Sequence, residues 1–228
     1  MEEELLRQEI VRVGRSLFER GYVHATAGNI SVRLDDGGFL ITPTDASLGQ
    51  LDAARLARLD ANLQQLSGDR ASKTIALHSR IYDAASRVAA TAGTRCVIHT
   101  HSTHCVALTL DASRDDELLP PITPYFVMKV GHVPRIPYHR PGAPEAAEAV
   151  AKAIARNGER GSPIRAVMLE RLGPNVWHDS PAAAMAVLEE LEETAKLWWM
   201  SQGRPQGAPA PLTPSQIDDL RRQFGAHW

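Results

Sequence analysis

The segment Cys96-Val-Ile-His-Thr-His-Ser-Thr-His104 constrains this chain more than any other. Cys96, Val97 and Ile98 form a short apolar run that reads as a strand. A strand sends residues i and i+2 to the same face. His99 and His101 are therefore expected to present two imidazoles to one side, the way a β-scaffold offers a metal ion two of its three or four protein ligands. His104 falls where the strand is expected to have ended, so its direction stays open. The plain alternative is a chance pairing, since the chain holds nine histidines.

The rest of the composition narrows the field by exclusion. A net charge of −2 gives no basic field for nucleic acid. No apolar stretch reaches membrane-spanning length. The start, Met1-Glu-Glu-Glu4, is acidic where a signal peptide would be basic, so a soluble cytoplasmic protein is expected. Two cysteines, Cys96 and Cys105, make no disulfide framework. Cys96 reads as a small buried apolar residue.

Along the chain, apolar residues at helical spacing over 2–20 predict a helix that Gly21 stops. A small-residue loop, Ala25 to Asn29, runs into a strand. Asp35-Asp-Gly-Gly38 reads as a hairpin turn, with the return strand over 38–42. A polar loop over 43–50, a short helix over 51–58, a strand-and-turn unit over 59–63 and a helix over 74–90 follow. The His-x-His strand covers 95–101, and 124–140 reads as extended and proline-punctuated. A helix over 144–157, paired strands at 164–169 and 175–177, and a long helix over 181–202 complete the main body. Trp198 and Trp199 are expected in the core or between subunits. Residues 203–214 read as a flexible Pro/Gly linker and 215–224 as a short helix, packed on a neighbouring subunit. Hairpins flanked by helices predict one α/β domain over 1–202 with a central, mainly antiparallel sheet, followed by the tail 203–228.

Five motifs in order, Thr26-Ala-Gly-Asn-Ile-Ser31, Ile41-Thr-Pro-Thr44, Ala71-Ser-Lys-Thr74, His99-Thr-His-Ser-Thr103 and Gly173-Pro-Asn-Val-Trp177, resemble the class II aldolase/adducin family. Ser47-Leu-Gly49, Leu66-Ser-Gly-Asp69, the run Leu118 to Gly131, Pro137-Tyr-His-Arg-Pro-Gly142 and Glu189 to Lys196 resemble its 3-oxo-tetronate 4-phosphate decarboxylase branch. The likeness covers roughly residues 5–224. It implies a three-layer α/β/α fold, a homotetramer, and a divalent metal (Zn, Mn or Fe(II)) at a subunit-interface site with no organic cofactor. It also implies a small-molecule substrate, a hydroxy or keto acid cleaved through an enediolate. By resemblance, Gly28, Asn29, Thr42, Thr44, Asp45, Ser47, Ser72 and Lys73 line the substrate loop, while His139, Tyr125, Lys73 and Thr74 are the catalytic candidates. Lys129 stands close enough in the sequence to Tyr125 to reach the same place.

Three positions depart from the family pattern. Thr74 stands where the family has a glutamate, and threonine is a weak neutral ligand and no general base near neutral pH. Leu172 stands where the third histidine belongs. Asp45 replaces a glycine in the loop, and its carboxylate would repel a phosphate unless Lys73 neutralises it, which favours a substrate without phosphate there. Glu170, two residues before Leu172 on the same expected strand, offers a replacement. With His99 and His101 it would make the two-histidine, one-carboxylate set of non-haem Fe(II) oxygenases. His104 competes as third ligand, and His78 is expected to be a packed core histidine. A metal-dependent lyase is the main reading. A redirected oxygenase, isomerase or cyclase, and a non-catalytic adducin-like binding protein, are the other two.

Overall fold

The computed structural model describes residues 3–110, 116–202 and 208–228. Eight strands form one sheet in the order β4-β3-β2-β1-β5-β8-β7-β6. They are β1 Asn29–Arg33, β2 Phe39–Ile41, β3 Ala57–Leu59, β4 Gln65–Ser67, β5 Cys96–His99, β6 Arg135–Ile136, β7 Ala166–Leu169 and β8 Gly173–His178. Every pairing is antiparallel except β6 with β7. The helices are α1 Glu3–Glu19, α2 Ile75–Ala85, α3 Thr103–Ala107, α4 Pro144–Glu159, α5 Pro181–Ser201 and α6 Pro214–Phe224.

Alternation along the strands divides the core into two layers. Ile30, Val32, Cys96, Ile98, Met168 and Val176 point to one face, under α1, α3 and α5. Phe39, Ile41, Val97, Val167, Leu169 and Trp177 point to the other, under α2 and α4. The result is the expected α/β/α sandwich. Because both faces are covered, β5 and β7 are buried along their whole length, and a polar side chain on such a strand stands out. His99 is one, at 5% exposure.

Three segments differ from the sequence reading. Residues 51–58 hold only a single 3-10 turn, Ala53–Arg55, started by the Asp52 side chain on Ala54 N–H, before the chain enters β3. The helix expected over 74–90 ends at Ala85, where the Thr91 hydroxyl donates to the Ala85 carbonyl and draws the chain back. Residues 126–130 within the expected extended stretch form a short π-helix that buries Phe126, Val127 and Val130. Helix α6 touches that π-helix of its own chain, with Ile217 buried and most of its other residues exposed. Its start is a capping box between Thr213 and Gln216. Within the expected linker, Leu212 N–H donates to Pro121 O, while residues 203–207 lie outside the described residues. Trp198 packs against the core and Trp199 is half exposed.

Candidate active site

Strands β1, β5 and β8 lie side by side, so Asn29, His99 and Asn175 occupy neighbouring register positions in one row. All three are buried. The strand ends at His99, sooner than expected. Thr100 N–H donates to Pro174 O at 3.3 Å, and the chain then turns into α3. His101 nevertheless stays beside His99, with ring centroids 5.1 Å apart and planes at 66°.

This separation can be tested against a shared ion. With metal–nitrogen bonds of about 2.0–2.1 Å and tetrahedral angles, two imidazoles on one ion have centroids about 5 Å apart. The pair fits. The tautomer fits too. A carbonyl only accepts, so His99 donates from Nδ1–H to Pro174 O at 2.9 Å and keeps its lone pair on Nε2. Burial first, and the neighbouring His101 ring second, push the His99 pKa down to about 4. Burial, with His24 nearby, also lowers that of His101. Both rings are thus held neutral at neutral pH, as ligands must be.

The reach of Pro174 depends on Gly173, which sits at φ +142 with the Thr100 carbonyl pressed against it. Gly28, at φ +86, makes a similar approach to the His99 carbonyl.

Candidates for a third ligand are placed elsewhere. Glu170 Oε1 accepts from Arg135 Nη2 at 3.1 Å and its Oε2 accepts from Tyr138 N–H at 3.2 Å. His104 donates from Nδ1–H to Glu192 at 2.8 Å, and the same buried carboxylate accepts the backbone N–H of His104 and Cys105. Leu172 packs in the α2/α4 layer. Among the described residues, no group of three His, Cys, Asp or Glu side chains closes on one point. The structure therefore joins His99 with His101 and does not join Glu170 or His104 to them. Sequence reading passed over His24, whose ring lies 6.5 Å from that of His101. That is beyond the span of about 6.4 Å that even a linear arrangement on one ion would allow. The only signal for it was a lone histidine four residues before Gly28.

The loop residues separate into two groups. Asn29 Nδ2 and Ser72 Oγ both donate to Thr74 Oγ1 at 3.2 Å, so Asn29, Ser72 and Thr74 form one polar cluster beside His99 at the start of α2. Lys73 is exposed next to it. Thr42 is turned inward, buried, with its hydroxyl accepting from Ile30 N–H. Thr44, Asp45 and Ser47 line a neighbouring cleft of about 480 Å³ together with Arg55 and Arg70. Asp45 sits at φ +57, keeping the left-handed backbone a glycine would adopt there. His139 lies half-buried in the segment 137–142, whereas Tyr125 and Lys129 are exposed at the π-helix.

His78 is wholly buried under the same row, as expected of a core histidine. Its Nδ1 bonds Ser31 Oγ at 2.8 Å, and burial pushes its pKa down to about 3. Both it and His99 take up a proton near pH 6.5 once unfolded. Between 6.5 and about 4 the unfolded chain binds more protons at these sites, so stability is full above pH 6.5 and falls as acid is added. Each site contributes up to about 1.4 kcal/mol per pH unit. Urea titrations of metal-free protein at pH 7, 6 and 5 are expected to show this fall, shallower in a His78→Gln variant.

The family model for the class II aldolase and adducin N-terminal domain matches residues 8–199. The chain belongs to the class II aldolase and adducin family. It is 51% identical over 228 residues to a 3-oxo-tetronate 4-phosphate decarboxylase of Cupriavidus necator, with 99% of each chain covered. It is 40% identical to the protein of that name from Escherichia coli K12, with 96% of each chain covered. The crystal structure of Escherichia coli YgbL, described as a putative aldolase/epimerase/decarboxylase, superposes with a TM-score of 0.82 at 38% identity, covering 96% of this chain and 99% of that one. With this family and these relatives over its whole length, the chain is a carbon–carbon lyase. Class II aldolases generally depend on a divalent metal, and they are often oligomeric. No helix among the described residues is long and apolar enough to cross a membrane.

Proposed function

We propose that this chain is a divalent-metal-dependent decarboxylase of 3-oxo-tetronate 4-phosphate, working as a homotetramer in the cytoplasm. The observation that carries the reading is the neutral His99–His101 pair set against the Asn29–Ser72–Thr74 cluster. The names of relatives at 51% and 40% identity supply the substrate. They also argue for a phosphorylated substrate, against the expectation raised by Asp45. The left-handed backbone at Asp45 leaves the loop in the conformation a glycine would give, and Arg55 and Arg70, which line the same cleft, supply positive charge to balance the carboxylate.

The substrate is a 3-oxo acid, so the bond from C2 to the carboxylate can break with its electrons flowing into the C3 carbonyl. Carbon dioxide leaves, and C2 then takes a proton to give a three-carbon hydroxyketone phosphate. A divalent ion held by His99 and His101 would supply positive charge for the oxygen that becomes negative in this step. The chain's own groups do the rest. Ser72, Asn29 and Lys73 bind the phosphate, and Thr74 offers its hydroxyl proton to a substrate oxygen. His139 is assigned the proton delivered to C2, with Tyr125 as the other candidate donor.

Because Glu170 is engaged by Arg135 and Tyr138, nothing favours the oxygenase reading, which needed its carboxylate on the ion. The direct test is release of carbon dioxide from 3-oxo-tetronate 4-phosphate by purified protein. Release that stops on exhaustive chelation and returns with added divalent ion is expected. Full turnover after demetallation, or none with metal restored, would contradict the proposal.

A further inference from the structure

Segment 137–142 leaves the sheet after β6, and Pro137, Tyr138, Arg140, Pro141 and Gly142 are all exposed. At its far end, Ala143 N–H, at the start of α4, donates to Arg140 O at 3.0 Å. Among the described residues, the only other hydrogen bond made by this segment is Tyr138 N–H to Glu170 Oε2, at 3.2 Å. The anchor, by contrast, is held from several sides. Glu170 N–H donates to Ile136 O at 3.0 Å. Arg171, at φ +60, donates its N–H to Thr109 Oγ1 at 2.9 Å, and Leu172 N–H closes the turn onto Leu169 O. The other carboxylate oxygen meets Arg135, whose side chain is only 6% exposed and whose own N–H donates to Asp116 O.

We propose that Glu170 is a positioning residue, whose carboxylate, fixed by the buried Arg135 guanidinium, clasps the segment that carries His139 to the edge of the sheet. The role given to His139 rests on the decarboxylase reading, while the clasp itself does not. The pair has a clear division of labour. One oxygen neutralises a guanidinium that would otherwise be buried without a counter-charge. The other satisfies an amide and so fixes where the next residue, His139, begins. This accounts for an acidic side chain at a turn where the ion-binding reading had no geometric support.

Residue-resolved amide exchange and metal analysis test it without any substrate. In the wild type, the Tyr138 amide is expected to exchange at least tenfold more slowly than that of Arg140. In a Glu170→Ala variant, the amides of 138–140 are expected to speed up at least tenfold, with divalent ion per subunit unchanged. Glu170→Gln keeps an acceptor oxygen and is expected to retain most of the protection. In the decarboxylation assay, Glu170→Ala is expected to raise KM more than it lowers kcat, and Glu170→Gln to restore most of both. Fast exchange at Tyr138 in the wild type, unchanged exchange in Glu170→Ala, or loss of bound ion in either variant would overturn the proposal. If Glu170→Ala fails to fold, the wild-type and Glu170→Gln arms still decide it. Failure of the decarboxylase reading alone would leave the exchange and metal results standing.

Discussion

Replacing Gly173 with alanine is expected to lower stability by about 4 kcal/mol. The added Cβ would stand 1.9 Å from the Thr100 carbonyl oxygen and 3.1 Å from His101 Cα, all backbone atoms that no side-chain rotation can clear. Forcing such a contact costs about 1–3 kcal/mol in overpacking. Holding a non-glycine residue at φ +142 adds about 1–3 kcal/mol more. For a chain of 228 residues this corresponds to a fall in Tm of roughly 8–16 °C. The consequence for the site is specific. To admit the methyl group, β8 must move from the Thr100–His101 backbone, and Pro174 O moves with it. His99 then loses the acceptor that sets its ring, so divalent affinity falls along with stability. Gly93→Ala is the control. Nothing lies within 4 Å of its Cβ position, and a change within about 0.5 kcal/mol is expected. Thermal melts and metal titrations of the two variants check this. A Gly173→Ala protein as stable as Gly93→Ala would show that the two strands do not press together here.

The second large effect is on activity. His99→Gln and His101→Gln are each expected to lower kcat/KM by about 10³-fold or more, corresponding to about 4 kcal/mol of lost charge stabilisation. If the two rings hold one ion as proposed, they act as a unit, and the double variant is expected to lose little beyond either single one. Each variant is also expected to lose bound divalent ion. Multiplying effects would mean that the two rings serve separate purposes.

Much of this arrangement was legible in the residues. The two-residue spacing of His99 and His101 set them on one side, although the strand carries only the first of them. Asp35-Asp-Gly-Gly38 announced its turn, and Leu34 N–H does donate to Gly38 O across it, with Gly37 at φ +84. What local pattern could not reveal was set by contacts distant in the sequence. Strand β6 has two residues and is defined by its parallel partner β7. That pairing brings Arg135 and Tyr138 to Glu170, which local spacing alone had aimed toward the histidines. His24 reaches His101 only because the loop before β1 folds over the end of β5. Asn175 was visible merely as part of a strand, yet it is wholly buried opposite His99 with neither side-chain polar atom hydrogen-bonded. The π-helix over Phe126–Val130 likewise follows from packing against α5 and α6 rather than from its own residues.

The proposed chemistry requires one divalent ion to be held between His99 and His101 although leucine occupies the place of a third ligand. A metal-edge anomalous map of crystals grown with manganese or zinc tests it most directly. A single strong peak per subunit is expected, about 2.0–2.3 Å from His99 Nε2 and from a ring nitrogen of His101. A map with no peak between those rings, or with the ion seated on other residues, would contradict it.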